Sequence, residues 1–280
     1  MEVHSAIDGK TGGSPLIDYW WAYPLLGAGT GLCAGLLGVG GGLIMVPVLS
    51  FIFRAEGFPQ QYVMHLALGT SIATIFFTSV SNMLSHHGFG AVRWPFVRTL
   101  APGLVFGTLV GVLVVRLLDT RPLSIIFTIF VYYTAARMLF AAPPLPARGM
   151  PGRTGMVGAG AAIGAVSSMV GIGGATLAVP FMLKRNVSVH EAIGTAAAIG
   201  FPIAATGTIG YIVAGMSSAS LTAYSWGFVY LPALVGLVIT SVVTAPLGVR
   251  LAHHTKPIHL RRIFALVLLL IATRMLFSFF

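Results

Sequence analysis

The sequence predicts an all-α integral membrane protein that consists of two homologous repeats. The 280 residues are 56% hydrophobic and 8% charged, whereas an ordinary soluble domain is about 25% charged. A soluble chain of this length would need more charge to cover its surface, so lipid is the predicted solvent. The 35 glycines agree with this prediction, because small residues allow helices to pack closely in a bilayer.

Eight hydrophobic segments are long enough to cross a bilayer core, which takes about 20 helical residues. The segments are Ala22–Phe53, Val63–His86, Trp94–Leu118, Pro122–Ala142, Thr154–Leu183, Val189–Gly215, Tyr224–Ala252 and Ile258–Phe280. A polar segment, residues 1–21, precedes the first repeat, residues 22–142. Residues 143–153 are rich in proline and glycine, so we expect them to link it to the second repeat, residues 154–280.

Four motifs recur in the same order in the two halves, which indicates an internal duplication. The longest pair is GVGGGLIMVP and GIGGATLAVP, and the next is HLALGTS and HEAIGTA. These and the two shorter pairs begin at Gly38 and Gly171, His65 and His190, Val115 and Val249, and Arg137 and Arg274. The offset between the partners is nearly constant, as a duplication requires.

The first segment of each repeat is predicted to be broken at its glycine-rich turn. A continuous helix over residues 22–53 would be about 48 Å long, well beyond a bilayer core of about 30 Å. Glycines destabilise the middle of this segment, and Pro47 then removes a backbone donor. Residues 171–180 have the same anatomy, so we expect two short helices on either side of each break.

Two layouts of these segments agree with the hydropathy, and the positions of Lys and Arg distinguish them. If all eight segments cross the membrane, the repeats are parallel and the 16 basic residues divide 9 to 7 between the two sides. If the broken segments are re-entrant hairpins, the repeats are inverted and the division is 11 to 5. Because cytoplasmic loops carry an excess of Lys and Arg, the charges favour the inverted layout.

The two breaks are also the predicted substrate site. Interrupted segments at matching positions of two repeats indicate a transporter's binding site, and a half-helix that starts at a break directs unpaired N–H groups at an anion. The alternatives are that the glycines only permit close helix packing and that nearby hydroxyls bond to their own helix. The predicted substrate-binding residues are Gly38, Gly40, Gly41, Gly42, Gly171, Gly173, Gly174, Thr70, Ser71, Asn82 and Thr195.

The histidines and carboxylates offer few further candidates. His65 and His190 occupy equivalent repeat positions and are candidates for a proton or charge role. Their alternative location is at helix ends beside the headgroups. None of the six acidic residues lies in the middle of an apolar segment, so we expect no buried carboxylate for a coupling ion. Neither a metal site nor a cofactor is predicted.

The glycine motifs resemble those of the TauE/SafE sulfite exporter family of membrane permeases. The resemblance rests on GLLGVGGGLIMVP from Gly35, its echo from Gly171 and the Gly-Thr pairs at Gly69 and Gly194, and it covers about residues 23–280. It implies a multi-pass inner-membrane protein that carries sulfite, thiosulfate or organosulfonates. The echo has alanines where the first half has Gly42 and Ser71, which suggests that the two half-sites are not equivalent.

These observations predict a transporter, most simply an exporter, of small sulfur-containing anions. The alternatives are an anion channel, which needs no alternating access, and an intramembrane enzyme, for which no catalytic cluster is recognisable. The expected partners are a small inorganic or organosulfur anion and membrane lipid, and a homodimer is left open. Nucleic acid is not an expected partner, because the basic residues follow the ends of apolar runs.

Overall fold

The computed structural model describes residues 19–37, 41–140, 149, 151–218, 222–254 and 257–279. Almost all of them are helical, which confirms the all-α prediction. The elements are α1 (Ala22–Leu37), α2 (Gly42–Ala55), α3 (Val63–Gly88), α4 (Trp94–Leu117), α5 (Thr120–Phe140), α6 (Arg153–Val170), α7 (Ala175–Leu183), α8 (Val189–Met216), β1 (Ser225–Trp226), β2 (Val229–Tyr230), α9 (Leu231–His254) and α10 (Pro257–Phe279).

Five of these helices are long and apolar enough to cross a membrane: α3, α4, α5, α8 and α9, counted over the described ranges. Each of the eight predicted hydrophobic segments contains at least one helix. The predicted domain boundaries fall partly outside the described residues and stay predictions.

The start of the seventh segment differs from its prediction. Tyr224 to Tyr230 forms a short antiparallel hairpin, with Ser225 paired to Tyr230 and Trp226 to Val229. Tyr224 and Gly227 have φ angles of 63° and 52°, a left-handed conformation that a helix does not accept. The helix therefore begins at Leu231.

Each of the two predicted helix breaks lies between two helices that the structure describes. In the second repeat, α6 ends at Gly171 and α7 begins after Gly174, and these glycines have φ angles of 68° and 78°. Only glycine adopts that conformation at little cost, so it ends one helix and allows the next to begin. In the first repeat, α1 ends at Leu37 and α2 begins at Gly42, whereas residues 38–40 lie outside the described residues.

The pair α1–α2 begins and ends at one end of the bundle, which we call the Tyr230 end. The hydroxyl of Tyr23, in the first turn of α1, donates to both carboxylate oxygens of Glu56, just after α2, at distances of 2.9 and 2.8 Å. The Tyr23 and Tyr230 rings are also in contact, with centroids 6.5 Å apart. The chain therefore enters along α1 and returns along α2.

The pair α6–α7 begins and ends at the opposite end, which we call the Arg93 end. Arg93 precedes α4, and its Nε lies 2.8 Å from the carboxylate of Glu191 at the start of α8. Helix α6 runs beside α4 in the same direction, and α7 leads directly into α8. The two broken pairs thus open toward opposite ends of the bundle, as the inverted layout requires, and the membrane sides stay a prediction.

Closely spaced glycines hold helices of different repeats together. A Cβ added to Gly27, Gly31 or Gly35 of α1 would lie under 3.0 Å from atoms of α9. The corresponding positions of α4 that face α6 are Gly103, Gly107 and Gly111. A spacing of four residues places each trio on one helix face. For these glycines, close helix packing is the observed role.

Candidate functional site

The two helix breaks touch each other in the interior of the bundle. A Cβ added to Gly42, the first residue of α2, would lie under 3.0 Å from the carbonyl oxygen of Gly171 and 3.2 Å from the Cα of Ile172. The Ser71 hydroxyl donates to the same Gly171 oxygen at 3.0 Å. The structure thus brings together three residues that the sequence predicted to share a site.

A small cavity lies beside the second break. It has a volume of about 20 Å³, enough for about one water molecule. Four helices and the second break contribute to it, and its lining consists mostly of small or polar residues: Ala34, Ile75, Thr78, Ser79, Asn82, Gly173, Ala175, Ala196, Ala197 and Gly200. Of the predicted site residues, this cavity includes Gly173 and Asn82.

The start of α7 forms one wall of the cavity. Gly173 and Ala175 line it, and Gly174 is the N-cap residue between them. The first N–H groups of a helix have no partner within that helix, and Gly174 offers no side chain to cap them. The positive end of the helix dipole is at this N-terminus. This wall is therefore suited to bind an anion.

Polar side chains of α3 form the opposite wall. Asn82 is 6% exposed, and its Oδ1 accepts no hydrogen bond from the described residues. Buried polar atoms are almost always hydrogen-bonded, so this oxygen is an exception that a guest molecule would explain. Thr78 and Ser79 lie four and three residues earlier, on the same helix face. The sequence analysis missed both, although their spacing from Asn82 was a usable signal.

Another polar atom missed by the sequence analysis lies behind the break. The Ser167 hydroxyl is fully buried and has no hydrogen-bond partner among the described residues. It lies 3.4 Å from the position that a Cβ on Gly174 would take. The Ser167 hydroxyl is therefore a second buried polar group beside the start of α7.

The two repeats differ at the position of Asn82. The matched motifs at His65 and His190 place Gly207 at the position equivalent to Asn82. A Cβ on Gly207 would lie 2.8 Å from Ile72 Cγ2, so an apolar side chain fills the space there. The amide of Asn82 thus has no counterpart in the second repeat.

Thr70 and Thr195 are not in the cavity and bind backbone instead. The Thr70 hydroxyl accepts a hydrogen bond from the Tyr230 N–H at 3.0 Å, and the Thr195 hydroxyl accepts one from the Arg93 N–H at 2.9 Å. Tyr230 and Arg93 immediately precede α9 and α4. Each threonine therefore fixes the start of a helix of the other repeat: Thr70 of the first repeat fixes α9, and Thr195 of the second repeat fixes α4.

The other described residues of the prediction do not line the cavity either. The Nε2 of His65 is 3.1 Å from the Val115 carbonyl and 3.0 Å from that of Leu118. His65 precedes Asn82 by a helix length of about 25 Å. His190 is exposed at the start of α8, as the headgroup alternative predicted. Gly41 packs against Thr30 of α1, and Gly38 and Gly40 lie outside the described residues.

Glu56 is a buried carboxylate that the sequence analysis did not anticipate. It is 4% exposed at the Tyr230 end and is held by Tyr23. No group of three or more His, Cys, Asp or Glu side chains suited to a metal ion occurs in the described part of the chain. The polar cavity beside the helix break is therefore the strongest candidate site.

Broken helices beside a small cavity in a bundle of membrane-length helices are typical of multi-pass membrane transporters. The comparisons with known proteins agree. The chain belongs to the sulfite exporter TauE/SafE family, whose profile matches residues 23–275. All residues that line the cavity lie within the part of the chain that the family profile matches.

Curated relatives cover most of the chain. A probable membrane transporter protein of Haemophilus influenzae is 34% identical over 253 residues, which are 90% of this chain and 96% of that protein. A probable membrane transporter protein of Methanocaldococcus jannaschii is 26% identical over 242 residues, 85% of this chain and 88% of that one. No solved structure matches the chain significantly.

Proposed function

We propose that this transporter exports small sulfur-containing anions of the sulfite, thiosulfate or organosulfonate class. The anion binds in the cavity between the start of α7 and the polar face of α3. The observation that carries the proposal is the buried Asn82, whose Oδ1 has no hydrogen-bond partner in the described part of the chain, opposite an uncapped helix N-terminus. Helix N-termini bind oxyanions through their free N–H groups and their dipole.

Transport also requires that the guest can leave. No charged side chain lines the cavity, so the anion would be held by hydrogen bonds and a dipole alone. A cavity of about 20 Å³ is smaller than a sulfite ion, so it must widen on binding. Movement of the two broken pairs relative to each other would widen it and give alternating access.

The proposed location is the inner, or plasma, membrane. In the inverted layout the Arg93 end carries 11 of the 16 Lys and Arg residues, which supports a cytoplasmic position for that end. A membrane potential that is negative inside favours anion exit by about 2.3 kcal/mol per charge per 100 mV. Export therefore needs no coupling carboxylate in the cavity.

Counterflow in liposomes tests this proposal. Purified full-length protein is reconstituted in vesicles loaded with unlabelled sulfite, and uptake of external labelled sulfite is followed. We expect transient accumulation of label, which a carrier gives and a channel does not. Asn82→Leu should reduce the accumulation, because the guest loses a hydrogen bond, whereas Ser85→Ala should leave it unchanged, because the Ser85 hydroxyl donates to its own helix at the Ser81 carbonyl. Equal counterflow in wild-type and Asn82→Leu vesicles would refute this binding site.

A further inference from the structure

We infer that the cavity selects singly charged oxyanions that carry their own hydrogen-bond donor and discriminates against dianions. The inference rests on the proposed function, and it names the charge and protonation of the guest. Hydrogensulfite has this chemistry, because it retains one proton on a monoanion. Sulfate does not have it.

The α3 wall of the cavity offers hydrogen-bond acceptors to a guest. The Thr78 hydroxyl donates to the Thr74 carbonyl at 3.1 Å, and the Ser79 hydroxyl donates to the Phe76 carbonyl at 2.9 Å. Their hydrogens are therefore engaged with the helix, and only lone pairs remain for a guest. Asn82 adds Oδ1, an acceptor without a partner in the described residues. A guest that has only acceptors gains no hydrogen bond from these oxygens, whereas a guest with an O–H or N–H donates one to them.

The uncharged lining of the cavity also favours a guest with a single negative charge. None of the lining residues carries a charge, and the α7 N-terminus supplies only about half an elementary charge. The cost of removing an ion from water rises with the square of its charge, so a dianion costs about four times as much as a monoanion of the same size. One helix end can compensate a single charge far better than a double one.

The ionisable groups near the cavity do not change this balance. On α3, His86 follows Asn82 by four residues, and on α1 Cys33 precedes Ala34. On α8, Glu191 is already paired with Arg93, and the nearest charge on the α7 side is Lys184, after the helix has ended. None of these groups lines the cavity.

Three anions of equal heavy-atom number and similar tetrahedral shape distinguish the effect of a hydrogen-bond donor on the anion from the effect of the anion's charge. Sulfamate is a monoanion with N–H donors, methanesulfonate is a monoanion with a methyl group in that place, and sulfate is a dianion without a donor. Binding of each to purified full-length protein is measured by isothermal titration calorimetry at neutral pH and constant ionic strength. We expect sulfamate to bind about three- to tenfold tighter than methanesulfonate, and sulfate to bind most weakly.

The same calorimetric measurement on the Asn82→Leu variant tests the role of the Asn82 side chain. We expect this variant to bind sulfamate and methanesulfonate with equal affinity, because the acceptor that distinguishes them is removed. Equal wild-type affinities for sulfamate and methanesulfonate, or sulfate binding as tight as methanesulfonate, would overturn the inference and leave the anion site standing. If none of the anions binds the folded wild-type protein, the proposed function falls as well. The wild-type comparison decides the matter even if the variant does not fold.

Discussion

Replacing Gly42 with alanine tests whether the two helix breaks must touch. The new Cβ would lie under 3.0 Å from the Gly171 carbonyl oxygen and 3.2 Å from the Ile172 Cα. Both are backbone atoms, which cannot rotate away as a side chain can. The breaks must therefore separate, and the hydrogen bond from Ser71 to Gly171 lengthens with them. Overpacking of this kind costs about 1–3 kcal/mol.

Gly29→Ala is the matched control on the neighbouring helix α1. No atom lies within 4 Å of the position that its Cβ would take. The same change of residue type should therefore stabilise the helix, by about 0.5–1 kcal/mol. Because the contacts of the new Cβ are with backbone, Gly42→Ala should cost about 2–3 kcal/mol, the upper part of the overpacking range. A gain in helix propensity of about 1 kcal/mol then leaves a net loss of about 1–2 kcal/mol.

Thermal unfolding of the purified proteins in detergent measures both effects. With about 2–4 °C per kcal/mol for a chain of this size class, Gly42→Ala should unfold about 2–8 °C below wild type, and Gly29→Ala at or above it. Sulfite counterflow should be lost in Gly42→Ala and kept in Gly29→Ala. Wild-type stability together with wild-type flux in Gly42→Ala would show that contact between the breaks is dispensable.

Three further predictions concern the polar contacts outside the cavity. Thr70→Val and Thr195→Val should each lower stability by about 1–3 kcal/mol, because a backbone N–H loses its acceptor. Calorimetry should show that the affinity for sulfite is little changed. Unchanged stability together with lost affinity would mean that these hydroxyls bind the anion. Tyr23→Phe should destabilise by about 1.5–3 kcal/mol through the buried carboxylate of Glu56, and an unchanged unfolding temperature would contradict this. Ser188→Ala removes the capping box of α8 and should cost about 1 kcal/mol in the same thermal assay, whereas no loss would mean that the cap is not formed.

The sequence predicts the helices well because lipid leaves few alternatives. A run of apolar residues in a bilayer must satisfy its own backbone, and the helix does so locally. The breaks were predictable for the same local reason. Gly171 and Gly174 adopt left-handed backbone conformations that other residues avoid, and Pro180 follows them in the sequence.

The side chains of the site were only partly predictable, because contacts between the repeats decide their roles. Thr70 resembles a ligand in the sequence, but its acceptor lone pair is used by the Tyr230 N–H. Tyr230 belongs to a hairpin that hydropathy alone assigns to a helix. Asn82 lines the same cavity as Gly173, so it lies beside the break of the other repeat. No periodicity within one repeat reveals this exchange.

The most direct measurement of the central claim is a structure of the protein with bound selenite, located by the anomalous scattering of selenium. Selenite has the shape and charge states of sulfite. We predict a selenium peak between the α7 N-terminus and α3, with selenite oxygens within hydrogen-bonding distance of Asn82 and of the first N–H groups of α7. A peak at any other position in the protein, with this cavity still closed, would contradict the account.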